Sequence, residues 1–544
     1  MKPKRKDKES TASTLPLLPL PAAKLDMPAL EQWLWDAACA IRGATDAPKF
    51  KDFILPLIFY KRLSDVFEDE LSEQVKVVGD AEIAREIIDA DHADALRKGR
   101  NPIVRCYIPA KYDWNAIRNH PTDGKLGEFI TDALRAVAKL NPAFQGVLDT
   151  IDFNARQAGQ RILDDDRLGL LIEVISRHRL GLKDTSPDIL GHAYEYLLRK
   201  FAEGQGSSAG EFYTPMEVGR LMARLIDPIP KAHIYDPTCG SGGLLIKARL
   251  IYEENNPAAK TRAPKLYGQE LNPTTFALAK MNMFLHDYTD SSILIGDTFT
   301  NPRFTDPTGV KRFDYVVANP MWNQDNYEDT FYENDRYERF SYGVPPNGSA
   351  DWAWVQHIAA SLNDTGRAAI VLDTGAVTRG SGSRGSNKEK EIRKAFVEAD
   401  IIEGVVLLPE NLFYNTMAPG IILLLNRNKS EKQKGKLILI NATAYFEKQK
   451  PKNVLTSAGI DAVANAYSIW QDASKLCKVI SIDDVRTSDY NLSPSHFVEI
   501  NDRTSHRTLE NILCDLSVAK RAREKADTEL DAVLLQLGLL EDKT

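Results

Sequence analysis

At 544 residues, with 43% hydrophobic and 27% charged residues, the chain has the makeup of a globular protein. Counting about 150 residues per domain, it holds three or four domains. Its 69 basic and 76 acidic residues leave a formal charge of −7, which excludes a bulk-basic nucleic-acid binder and asks that any phosphate contact come from one basic face or from a partner.

Five cysteines, at 39, 106, 239, 477 and 514, show no metal-ligand spacing, so no metal is expected. A sparse, odd set suits a reducing cytosol and argues against a disulfide scaffold. The basic amino end, MKPKRKDKES, runs into LPLLPLPAA, an apolar stretch too short and too interrupted by proline for a signal-peptide core or a membrane span. Residues 1–25 are expected to be a disordered basic arm, either inert or tracking weakly along DNA.

Residues 26–180 read as a helical domain. Over 30–44, Leu30, Leu34, Ala37, Ala38 and Ile41 fall on one stripe; over 49–71, Phe53, Leu57, Tyr60, Val66, Phe67 and Leu71 do the same. Turn chemistry sits at NPAFQG, and Ser186-Pro187 marks a helix start. No catalytic constellation appears here, which leaves packing and recognition.

Near residue 204 the run GQGSSAG reads as a loop or hinge. Beyond it, apolar strands are expected at 233–236, 265–270, 293–297, 314–319, 368–373, 403–409 and 420–426. Helices fit between them at about 242–255, 273–285, 350–362 and 388–399. This alternation predicts a doubly wound, Rossmann-like α/β domain over 181–430, with its ligand beyond the carboxyl ends of the strands. The pattern weakens over 431–504, read as an extension of that domain. Residues 505–544 hold an amphipathic helix that docks either on the chain's own body or on a partner's coiled coil.

The strand ends carry the chemistry. HIYD runs into DPTCGSGG, where Gly240, Gly242 and Gly243 permit a tight turn and close approach of a ligand, and Asp236 can accept from an ammonium. The pattern matches neither GxGxxG nor GxxxxGK[ST], so pyrophosphate and nucleoside triphosphate fit poorly. Glu270, ending the next strand, can accept from ribose hydroxyls, can serve the helix opened by Asn272-Pro273, or both. Asp297 ends the third and can accept from an adenine amino group. The fourth delivers Asn319, Pro320, Met321 and Trp322. An aryl amine is a poor nucleophile because its lone pair is delocalised. The Asn319 side-chain oxygen and the Pro320 carbonyl can accept both of its N–H groups and turn the lone pair toward a methyl donor. Trp322 offers a face on which a flipped base can stack, a contact worth about 1–3 kcal/mol.

With GEFYTP (210–215), DPTCGSGG (236–243), GQELNP (268–273), GDTF (296–299), ANPMW (318–322), GSADWAWVQH (348–357) and LPENLFYNT (408–416), the chain resembles the modification subunits of type I restriction–modification enzymes. These are S-adenosyl-L-methionine-dependent methyltransferases acting on adenine N6 in DNA. The resemblance implies that Phe212, Tyr213, Thr214 and Pro215 lie at the cofactor's methionine end. It further implies that Asp236 and Gly240 hold its amino acid, Glu270 its ribose and Asp297 its adenine, with Thr238, Gly242 and Phe299 also binding the cofactor. Asn319, Pro320 and Trp322 would then be catalytic, with Met321 and Trp322 against the target base. Implied partners are double-stranded DNA, a DNA specificity subunit, a second copy of this chain and a restriction subunit; no membrane is implied, and the location is the cytoplasm of a bacterium or archaeon. The family usually reads Asn-Pro-Pro-Phe where this chain has Met321-Trp322. A protein glutamine methyltransferase and a non-catalytic modification-like scaffold are the alternatives.

Two loops complete the reading. The span 323–349 is rich in Tyr, Phe, Asn and Asp and is expected to act as a lid. The span 374–390 is either a mobile basic loop near DNA phosphates or a plain surface loop.

Overall fold

The computed structural model describes residues 27–43, 50–157, 159–184, 196, 214–325, 327–383, 385–413, 416–450, 452–499 and 509–536. The arm expected over 1–25, the GQGSSAG hinge, the helix start at Ser186-Pro187, and Phe212 and Tyr213 lie outside them.

Five main helices open the chain: α1 (Met27–Ala40), α2 (Lys51–Val78), α3 (Ala81–Lys98), α4 (Leu126–Leu140) and α5 (Asp165–Ile175). The stripe Leu30, Leu34, Ala37, Ala38 and Ile41 is buried, as are Phe53, Leu57, Tyr60, Val66 and Phe67 of α2. Removing such side chains from water contributes about 1.5–3 kcal/mol each, which is why these faces turn inward. Asp80 caps α3 by accepting from the amides of Glu82 and Ile83.

Nine strands form one sheet: β1 (His233–Asp236), β2 (Lys265–Glu270), β3 (Ser292–Ile295), β4 (Phe313–Ala318), β5 (Leu362–Asp373), β6 (Ile402–Leu407), β7 (Gly420–Asn426), β8 (Lys436–Asn441) and β9 (Cys477–Ser481). Their spatial order is 9-8-6-7-5-4-1-2-3. Strands β3, β2, β1, β4 and β5 run parallel, β7 lies antiparallel between β5 and β6, β8 is parallel to β6, and β9 closes the edge antiparallel. The direction of winding reverses between β1 and β4, the point at which an open α/β sheet leaves a crevice beyond its carboxyl ends. The structure is α/β and doubly wound, as expected. The segment after 430, where the pattern weakens, supplies β8 and β9 to this same sheet.

Helices α6 (Met216–Ile226), α7 (Gly243–Asn255), α8 (Pro273–Leu285), α9 (Asp351–Ala360), α10 (Lys388–Glu398) and α11 (Ser457–Ile469) cover the faces of the sheet. Helix α8 ties the two regions together. Its Ala277, Leu278, Met281 and Leu285 join the core of the amino-terminal helices, while Phe276, Ala279 and Met283 join the core of the sheet. A helix apolar on all sides belongs between two layers, and Phe284 meets Phe59 and Phe144 edge-on at 5.7 and 5.1 Å. Helix α12 (Leu509–Gln536) leaves Leu513, Leu516, Val518 and Leu530 exposed rather than docked on the body. No helix among the described residues is long and apolar enough to cross a membrane.

Candidate active site

The four expected strand ends converge. Strand β1 leads into a turn in which the Asp236 carboxylate accepts from the Thr238 amide at 2.9 Å. Asp236 is 1% exposed, and burial, with Glu270 close by, pushes its carboxyl up to about 8. The loop then crosses β2 closely: the Cys239 amide donates to the Gln269 carbonyl at 2.9 Å. That approach needs Gly268, since a Cβ there would lie 2.8 Å from Cys239 Sγ.

Glu270 holds both of its expected roles open. One carboxylate oxygen accepts from the Gly240 amide at 2.9 Å and the other from the Asn272 amide at 2.8 Å. Asn272 caps α8, accepting from the amides of Thr274 and Thr275, with Pro273 at the first helical position. The Asn282 amide group of α8 donates to the Ser241 carbonyl at 3.1 Å, so this helix also grips the glycine loop. Around Gly240 (φ +53°) a Cβ would meet nothing within 4 Å, which leaves open space above the loop.

Strand β3 ends at Ile295, and Asp297 follows one residue beyond Gly296. One Asp297 oxygen accepts from the Phe299 amide at 2.8 Å and the other from the Tyr327 hydroxyl at 2.8 Å. Burial, then the bond to Asp297, pushes the Tyr327 hydroxyl up to about 12. Phe299 is buried against Trp354, with ring centres 4.1 Å apart.

The segment 323–349, expected to act as a lid, is partly anchored to the body. It contains a short helix, Asp329–Glu333, and places Tyr332 and Phe340 in a cluster with Phe299, Ala350, Ala353 and Trp354. Arg339, buried and paired with Asp335 at 2.8 Å, donates to the carbonyls of Thr298 and Phe299 at 2.9 and 2.7 Å. These bonds brace the turn that carries Asp297.

Strand β4 delivers Asn319 and Pro320, both buried, while Met321 is 39% exposed. Asn319 Nδ2 donates to Thr214 Oγ1 at 2.9 Å, and Trp322 Nε1 donates to Asn319 Oδ1 at 3.2 Å. The indole is half-buried, edge-on to Phe413 at 4.8 Å, and above Gly420, where a Cβ would come within 2.9 Å of the ring. Thr214, taken from the resemblance as a cofactor residue, therefore touches the Asn-Pro motif.

Behind the motif, Asn323 adopts φ +51°, and its amide donates to Asp351 at 3.1 Å. Arg379 pairs with Asp351, Glu389 and, at 3.1 Å, Asp373. Against the pull of its own burial, Glu389 and Asp351 raise the Arg379 guanidinium above its ordinary value. Lys388 pairs with Asp329 at 2.6 Å and Lys390 with Asp489 at 3.0 Å. The span 374–390 opens with a short 3₁₀ turn, Thr374–Val377, and these three of its cations are paired with carboxylates. Among the described residues no group of His, Cys, Asp and Glu is arranged to hold a metal ion.

The strand-end residues were readable because each closes an apolar run. Thr214, Tyr327, Arg379 and Phe413 were missed in these roles. Thr214, Tyr327 and Phe413 meet their partners across 105, 30 and 91 residues, and Arg379 gathers carboxylates from both sides of its turn, so no local periodicity encodes these pairings.

Comparison with known proteins agrees with this geometry. A profile described as N-6 DNA Methylase matches residues 185–506, and one described as HsdM N-terminal domain matches residues 30–175. The type I restriction enzyme MjaVIII methylase subunit of Methanocaldococcus jannaschii is 38% identical over 460 residues, covering 82% of this chain and 74% of that one. The HindI methylase subunit of Haemophilus influenzae is 33% identical over 423 residues, covering 72% of this chain and 89% of the relative. The crystal structure of a type I restriction-modification system methyltransferase subunit from Streptococcus thermophilus superposes with a TM-score of 0.73 at 28% identity, covering 87% of this chain and all (100%) of that one. The chain belongs to the N-6 DNA methylase family, among the methylase subunits of type I restriction enzymes.

Proposed function

We propose that this modification subunit transfers a methyl group from S-adenosyl-L-methionine to N6 of an adenine flipped out of double-stranded DNA. The observation that carries the reading is the Asn319-Pro320 pair at the end of β4, beside the reversal point of the sheet and the Asp236–Gly240 loop. The residues fit the cofactor: open space over Gly240, a buried carboxyl at Asp236 for an ammonium, and Glu270 at the end of β2 for ribose hydroxyls. Asp297 would take the adenine amino group in exchange for, or beside, the Tyr327 hydroxyl.

The cofactor supplies an electrophilic methyl on a sulfonium. The protein's part is placement. Asn319 Oδ1 keeps one lone pair beyond the bond from Trp322, and the Pro320 carbonyl is the second acceptor. Together they hold both N–H groups of the target amine and direct its lone pair at the methyl, which is catalysis by orientation and charge placement. Met321 and Trp322 supply the apolar and aromatic surface for the extruded base.

Target choice belongs to a DNA specificity subunit, with a second copy of this chain opposite and a restriction subunit for cleavage. Co-expression with any specificity subunit encoded beside this chain, followed by mapping of N6-methyladenine, is the test. Methylation at one bipartite motif is expected; methylation of cytosine, or of protein only, would overturn the reading.

A further inference from the structure

We propose that Thr214 and Trp322 form a two-point clamp on the Asn319 side chain, making Thr214 a positioning residue for the target amine. The inference rests on the reading of Asn319 as an acceptor in methyl transfer. Both ends of the amide are held: Nδ2 donates to Thr214 Oγ1 at 2.9 Å, and Oδ1 accepts from Trp322 Nε1 at 3.2 Å. Asn319 is 7% exposed, so water is a poor substitute for either partner.

The two contacts have different tasks. An indole N–H only donates, so the atom facing it has to be the amide oxygen. Turning the amide over would set two donors against each other in a buried place. Trp322 therefore selects which end of the amide meets the amine, and a phenyl ring at that position would not. The Thr214 hydroxyl accepts or donates equally well, so it cannot select an end; it fixes where the amide sits. Donation from Nδ2 to Thr214 also strengthens Oδ1 as an acceptor, since linked hydrogen bonds polarise one another. The indole is itself held in place by Phe413 and by the absence of a side chain at Gly420.

The test uses the complex with its specificity subunit and a duplex carrying the target site. Three readouts are taken: calorimetric affinity for S-adenosyl-L-methionine, 2-aminopurine fluorescence on flipping, and single-turnover transfer at saturating cofactor. Thr214→Val keeps the shape and removes the acceptor. Transfer at saturating cofactor should fall about tenfold, the usual scale for one buried unsatisfied donor, with the flipping signal unchanged. Thr214→Ser should recover transfer to within about twofold. Trp322→Phe should slow transfer several-fold while keeping the flipping signal. The double variant should lose less than the product of the single losses, because both act through one amide.

Weakened cofactor affinity in Thr214→Val with normal transfer at saturation would mean that Thr214 serves the cofactor alone and would overturn the clamp. So would transfer at the wild-type rate in Trp322→Phe. A wild-type complex that modifies no adenine would instead remove the proposed function, and the clamp with it.

Discussion

The two halves of the sheet differ in what their strands deliver. In β3, β2, β1 and β4, all parallel, each carboxyl end runs out into a polar side chain: Asp297, Glu270, Asp236 and Asn319. In β6 and β7 every residue is buried, and the ends lead into packing: Phe413 follows β6, and Gly420 opens β7 beneath Trp322. Phe413 and Gly420 instead hold Trp322 in place from behind. A doubly wound sheet thus separates reactive ends from supporting ones at the strand where parallel order is broken. The antiparallel β7 marks that change.

The largest expected effect falls on the reactive half. Asn319→Ala should lower transfer by at least about 10²–10³-fold, the scale for removing one preorganised polar group from a reacting centre. Cofactor affinity, measured by calorimetry, should stay near wild type because Asp236, Glu270 and the glycine loop are untouched. Equal loss of binding and transfer would break the division between cofactor end and base end.

The supporting half should answer in stability instead. Ile438 of β8 is fully buried, and its carbonyl lies 2.5 Å from where a Cβ at Gly404 of β6 would stand. Ile438→Ala should cost about 2–5 kcal/mol in denaturant unfolding, while the folded complex transfers methyl at the wild-type rate. A lower rate with unchanged stability would mean that this half does more than support.

The reactive half was also the more legible in sequence. KLYGQE spans the strand expected of it, as GIILLLN does in the supporting half, and β5 starts earlier than expected because Leu362 pairs with Phe313 across an irregularity at Asn363–Gly366. Beyond 430 the runs are short: KLILIN is flanked by polar loops and CKVIS alternates, so neither stands out although both extend the sheet. Within the site, Asp236, Glu270, Asp297 and Asn319 could be found because a polar residue closing a strand is a local feature. Tyr327 on Asp297, Thr214 on Asn319, and Arg379 among Asp351, Asp373 and Glu389 are tertiary pairings with no periodicity to reveal them.

A smaller effect tests the crossing of the cofactor loop over β2. Gly268→Ala would place a Cβ 2.8 Å from Cys239 Sγ and 2.8 Å from Ile293 Cδ1. Overpacking of this kind costs about 1–3 kcal/mol. Lifted from the strand, the loop should bind cofactor about tenfold more weakly, while transfer at saturating cofactor stays close to normal. Unchanged affinity would show that the loop's path does not matter to the ligand.

The smallest effect concerns the Asp236 carboxyl, pushed up to about 8 by burial beneath that loop. Its folded value lies above the unfolded one, so between pH 4 and pH 8 the folded cofactor-free protein holds a proton that the unfolded chain has released. Stability without cofactor should therefore fall as pH rises through that window. An ammonium placed beside Asp236 favours the carboxylate, so binding expels the proton and affinity should rise with pH, by about tenfold between pH 7 and pH 8 at most. Calorimetry at pH 7 in buffers of different ionisation enthalpy should register close to one proton released. Asp236→Asn should bind more weakly, release none and lose the slope. A flat affinity from pH 6 to pH 8 in the wild-type protein would mean that the ammonium is held elsewhere, and that the buried carboxyl serves only the turn through its bond from Thr238.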